Sequence, residues 1–150
     1  MLFNIFSMTI SGGAIITALF HQHYLGMEPC AWCVLQRLVF VLIFLIASAN
    51  LFVKSLWLDL LAFMTDVSGI GIALYQLNVA NLSNSCGISA AEKFMTWTQL
   101  NTLIPQVFES YALCADANVD LFGIPYAGWS LWLFALISLT ISIQIIKRKI

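Results

Sequence analysis

Four long apolar stretches run through this chain, each closed by a short polar interruption. Leu2 to Leu25 carries no acidic or basic side chain apart from His21 and His23 near its end. Its length suits a spanning helix of about 20 residues. It has no basic leader, no Ala-x-Ala site, and more apolar spans after it, so it is expected to stay as a span and not to be removed as a signal peptide. Val34 to Val53 is the second stretch, with Gln36 and Arg37 at its start and Ser48 and Asn50 near its end. Lys54-Ser55 leaves room only for a tight turn, so the third stretch, Leu56 to Leu77, returns antiparallel. Pro125 to Ile146 is the fourth, with Trp129 and Trp132 as interfacial anchors and Lys147-Arg148-Lys149 closing it. Small residues, Ser11-Gly12-Gly13-Ala14 in the first span and Ser68, Gly69, Gly71 and Ala73 in the third, let neighbouring backbones approach closely.

Between the third and fourth spans, from Asn78 to about Ile124, the composition turns polar. This is the one sizeable outer loop. Ser89-Ala90-Ala91-Glu92 fits a capping box, and Phe94, Met95, Trp97 and Leu100 follow at helical spacing, which predicts a short interfacial helix ended by Pro105. The expected fold is all-α: a single membrane domain over residues 1–150, built as an antiparallel four-helix transmembrane bundle with one long outer loop.

Composition supports this reading. Of 150 residues, 61% are hydrophobic and only 9% charged, against about 25% charged in soluble domains. A net charge of -1 offers no basic face for nucleic acid. Charge also sets the expected orientation. Lys54, Lys147, Arg148 and Lys149 share the side of both termini, whereas Glu28, Glu92, Glu109, Asp116 and Asp120 lie with Lys93 on the other. The positive-inside rule then makes the termini cytoplasmic and the other face outward, in a bacterium the periplasmic side of the inner membrane. Cys30, Cys33, Cys86 and Cys114 all fall on that outer face.

The candidate chemistry lies in Glu28-Pro29-Cys30-Ala31-Trp32-Cys33-Val34-Leu35-Gln36-Arg37. Pro29 stops any helix arriving from the left and suits the first turn of a new one, which would place both sulfurs in the first turns of the second span. There the helix macrodipole favours a thiolate, and Arg37, four residues beyond Cys33, adds a fixed positive charge on the same face. Thiolates attack disulfides, so two cysteine pairs on one chain can pass oxidising equivalents between them. A pair at a membrane rim beside a cation is placed to give electrons to a lipid-soluble acceptor. The same four cysteines also admit a thiolate site for Zn2+ or Cu+ in a metal-delivery protein, or a structural assembly subunit.

That stretch resembles the Pro-Cys-x-x-Cys-x-x-x-Arg signature of the DsbB family of bacterial disulfide bond formation proteins. Ile104-Pro105-Gln106-Val107-Phe108, Cys114-Ala115, Asp120, Gly123 and Trp129 are similar to that family's second outer loop and the start of its last span. The resemblance covers essentially the whole chain. It implies a membrane thiol oxidoreductase that reoxidises a DsbA-like periplasmic thiol oxidase and passes the electrons through the quinone pool to the respiratory chain. It also implies individual roles. Cys86 would receive the attack of reduced DsbA, Cys114 would pass the exchange to Cys30, and Cys33 would face a bound ubiquinone or menaquinone with Arg37 beside it. Relatives often carry a histidine near the outer end of the third span as a second quinone contact; here Gln76 stands there and would take its place as a neutral donor. Asp66, an ionisable residue within the third span, is expected to be structural, hydrogen-bonded to Thr65, Ser68 or another helix. His21 and His23 are expected to be interfacial polar residues, not ligands.

Overall fold

The computed structural model describes residues 2–80, 90–110 and 120–149. Cys86, Cys114 and Ser89 of the expected capping box lie outside them. Among the described residues, four helices are long and apolar enough to cross a membrane: α1 (Leu2–Tyr24), α2 (Ala31–Val53), α3 (Leu56–Tyr75) and α7 (Tyr126–Lys149). The chain is therefore the multi-pass all-α bundle that the apolar pattern predicts. Its core is formed by Val39, Phe40 and Ile43 from α2, Ala62 and Ala73 from α3, and Phe134, Ile137 and Ile141 from α7. Phe40 stacks on Phe134 at a centroid distance of 4.2 Å.

Small residues set the helix spacing, but only some of those expected to. A Cβ added at Gly69 would lie 2.7 Å from the Phe134 ring and 2.9 Å from Val39, so α3 needs glycine there to meet α2 and α7. Ala73, one turn on, is fully buried. A Cβ added at Gly71 or Gly13 would meet nothing within 4 Å, and Ser68 faces outward.

The α2–α3 turn is built by Asn50. Lys54 takes the left-handed conformation that ends α2 and donates to the Asn50 carbonyl. The Asn50 side chain accepts from Ser55 N–H at 2.8 Å, and Ser55 caps α3 by accepting from Trp57 N–H at 3.3 Å. The same Asn50 amide donates to Asp59, which also accepts from Gln144 at 2.5 Å and pairs with Arg148 at 3.0 Å. This polar cluster binds α2, α3 and α7 together at the end of the bundle remote from Cys30 and Cys33.

At the opposite end, α3 passes into a π-helical turn (Gln76–Ala80). Then come α4 (Ala90–Thr98), α5 (Leu100–Leu103), α6 (Pro105–Phe108), and a hairpin of β1 (Asp120–Leu121) with β2 (Ile124–Pro125). The hairpin turns on Phe122 and Gly123, both at positive φ, the geometry of a two-residue I′ turn. The short helix expected there does form as α4, but it stops at Thr98, before Pro105, because Gln99 turns left-handed. Pro105 instead opens α6. Nor do all its apolar side chains face outward. Met95 is buried against Val34 and Phe108, which pins α4 and α6 over the Cys30 end of α2, whereas Phe94 and Trp97 stay exposed.

Candidate functional site

The helix carrying the cysteines begins two residues later than Pro29 suggests, at Ala31. Cys30 is extended and serves as the N-cap of α2, and its carbonyl accepts from Val34 N–H at 3.0 Å. Cys33 is then the third helical residue. The two cysteines thus straddle the helix start, with Cys30 fully buried and Cys33 partly open. Cys30 Sγ donates to Cys33 Sγ across 3.2 Å.

Gln76, first residue of the π turn, meets this pair from α3. Its Nε2 donates to Cys33 Sγ at 3.1 Å and approaches Cys30 Sγ at 3.7 Å. Gln36 Nε2 donates to Gln76 Oε1 at 2.7 Å. Because the carbonyl end is occupied by a donor, the amide end can only face the sulfurs. Both glutamines are buried. The family resemblance implies a quinone contact at this position; the structure sets the Gln76 amide against the sulfurs.

Arg37 is 5% exposed, held by Gln22 Oε1 at 2.8 Å and the Val107 carbonyl at 2.6 Å, both through Nη1. Two neutral acceptors, one from α1 and one from the α3–α7 connection, therefore fix this cation at the cysteine end of the bundle. Its Nε is buried without a hydrogen-bond partner.

Arg37 and Cys33 open onto a cavity of about 540 Å3 between α1, α2 and α7. That volume is within the usual range for small-molecule sites, about 300–1,000 Å3. Gly13, Ala14 and Thr17 of α1, Phe40 of α2 and Leu133 of α7 line its apolar depth; His21, Glu28, Gln36, Tyr126 and Trp129 stand nearer the cysteines, with Phe122 of the hairpin. Trp129 Nε1 donates to the Leu121 carbonyl at 3.1 Å and so ties the hairpin to α7. Cys30 and Gln76 are not part of the cavity wall. Among the described residues, no three His, Cys, Asp or Glu side chains converge as a metal site would need.

The structure separates the two histidines that sequence reasoning treated alike. His23 is exposed and its Nδ1 donates to the Leu19 carbonyl of its own helix at 2.9 Å, whereas His21 lines the cavity. Asp66 is fully buried, and neither carboxyl oxygen makes a hydrogen bond of normal geometry; Ser138 of α7 is the polar group facing it. Thr65 and Ser68 are engaged with backbone carbonyls instead. Two features had escaped the sequence reading. Gln22 had no distinguishing signal. Asp59 was detectable, as an acid at the start of a span that also carries a partner, Arg148, at the end of another.

A family model described as disulfide bond formation protein DsbB matches residues 2–144. Proteins named Disulfide bond formation protein B are similar over most of their length. The one from Cupriavidus pinatubonensis is 34% identical over 145 residues, covering 93% of this chain and 89% of the relative. The protein from Ralstonia nicotianae is 33% identical over 144 residues, covering 93% and 90%. That from Cupriavidus necator is 32% identical over 145 residues, covering 93% and 89%. With its Cys-x-x-Cys pair at a helix start and its four spans, the chain belongs to the DsbB family of disulfide bond formation proteins.

Proposed function

We propose that this protein is a quinone-dependent thiol oxidoreductase of the bacterial inner membrane, which reoxidises a DsbA-type dithiol protein on the periplasmic side. The observation that carries this reading is the asymmetry of the cysteine pair: Cys33 and Arg37 line one apolar cavity, while Cys30, 3.2 Å from Cys33, lies outside it. One sulfur then serves the acceptor and the other serves exchange.

The residues present fit a quinone. The cavity is apolar in its depth, and Arg37 brings to it a buried guanidinium whose Nε has no protein partner. Arg37, His21 and Tyr126 would hold the head group, and the groove along Gly13, Ala14 and Thr17 would take an apolar tail. When bound, a quinone supplies the acceptor for the two electrons and two protons that disulfide formation releases. The chain's own part is thiol chemistry. Gln76 donates to Cys33 and holds both sulfurs in line, and Arg37 offsets negative charge on Cys33. Cys86 and Cys114, outside the described residues, would exchange with the partner protein and relay oxidising equivalents from Cys30. The termini, with Lys54, Lys147 and Arg148, would be cytoplasmic.

Purified protein should reduce a short-chain quinone when given a reduced DsbA-type partner, and Cys33→Ser should abolish this. Retained turnover in Cys33→Ser would overturn the assignment.

A further inference from the structure

Resting on the reading of the cavity as a quinone site, we propose that His21 donates a hydrogen bond from Nε2 to a carbonyl oxygen of the bound head group. His21 is at the outer end of α1 and lines the cavity that Cys33 and Arg37 enter from α2. Its ring packs edge-on against Tyr126, with centroids 5.8 Å apart at 70°, so α7 holds its orientation. Nδ1 is buried and has no hydrogen-bond partner.

That sealed nitrogen decides the tautomer. A buried N–H without an acceptor is rarer and more costly than a buried acceptor with an unused lone pair. The neutral ring therefore leaves Nδ1 bare and carries its hydrogen on Nε2. With Nδ1 closed off, Nε2 is the nitrogen that a ligand in the cavity can reach. A quinone carbonyl accepts and cannot donate, so it matches an N–H here. His23 has the opposite arrangement: its Nδ1 donates to the Leu19 carbonyl, and it does not line the cavity.

The chain has two histidines, so protein labelled with nitrogen-15 in its histidine rings gives a simple spectrum. In lipid nanodiscs and alkaline buffer, His21 should show the Nε2–H tautomer and His23 the Nδ1–H tautomer, assigned with His23→Gln. Adding a short-chain ubiquinone analogue should move the His21 Nε2 signal and leave those of His23 in place. In a parallel binding titration, His21→Phe should weaken affinity for the analogue about three- to tenfold, and His21→Gln, which keeps a donor, should recover most of it. An unmoved His21 signal with quinone bound, or unchanged affinity in His21→Phe, would overturn the role of His21 alone. The absence of any saturable quinone binding to the wild-type protein would overturn the quinone reading and this inference with it.

Discussion

Removing the Gln76 amide tests whether the two buried glutamines act as one unit behind the sulfurs. Gln76→Leu deletes the donor to Cys33 and also strands Gln36, whose Nε2 loses its acceptor at 2.7 Å. Gln36 is 3% exposed, and leaving its amide without this acceptor costs about 1–3 kcal/mol. Gln36→Leu strands Gln76 Oε1 in the same way and at similar cost. Replacing both leaves neither stranded, since an apolar pair of similar shape can be nearly neutral. The double variant should therefore be less destabilised than the singles together by roughly 2 kcal/mol, about 30-fold in the folding equilibrium. The assay is unfolding of all four proteins in mixed micelles, followed by circular dichroism. Additive effects would refute the coupling. A second readout isolates the chemistry: the double variant folds but has no amide at the sulfurs, so thiol–disulfide exchange at the Cys30–Cys33 pair should slow by about tenfold. Exchange at the wild-type rate would show that the amide matters only to packing.

Other substitutions test the rest of the bundle. Gly69→Ala puts a methyl group 2.7 Å from the fully buried Phe134 ring; with Phe134 stacked on Phe40, it should lower stability by about 1–3 kcal/mol, measured by the same unfolding assay. Asp59→Ala removes the partner of Arg148 and the acceptor of two amides. It should cost about 2–4 kcal/mol, less than a fully buried pair because Arg148 reaches solvent, without altering quinone affinity of the folded fraction. Asp66→Asn should leave quinone turnover intact, since the carboxyl is buried with no hydrogen bond of normal geometry; lost turnover with normal quinone binding would instead give Asp66 a part in proton movement.

The architecture was legible because a bilayer leaves few solutions for an apolar run of this length, and the long apolar helices lie within a few residues of the stretches read from the pattern. The start of α2 was harder to place. Pro29 suits a first helical turn, but Cys30 stays extended and caps the helix. The Cys-x-x-Cys pair and Arg37 were readable from spacing within one helix. What sequence could not give was convergence between helices. Gln22 reaches Arg37 from α1, Gln76 turns to the sulfurs because Gln36 occupies its carbonyl, and His21 faces inward while His23 does not. Each outcome depends on the rotation of a helix about its own axis, which a uniformly apolar span leaves almost unmarked.

The Asp59 cluster bears on the order in which the bundle is made. Synthesis runs from the N-terminus, so α2 and α3 enter the bilayer as a hairpin before α7 exists. In that interval Asp59 has Asn50 but neither Gln144 nor Arg148. An acid at the edge of the bilayer with its countercharge still to come favours a nascent intermediate that stays open to water on that face. Arrival of α7 brings Gln144 and Arg148 to Asp59 and completes the cluster, so the last span is the one that ties this end of the bundle together.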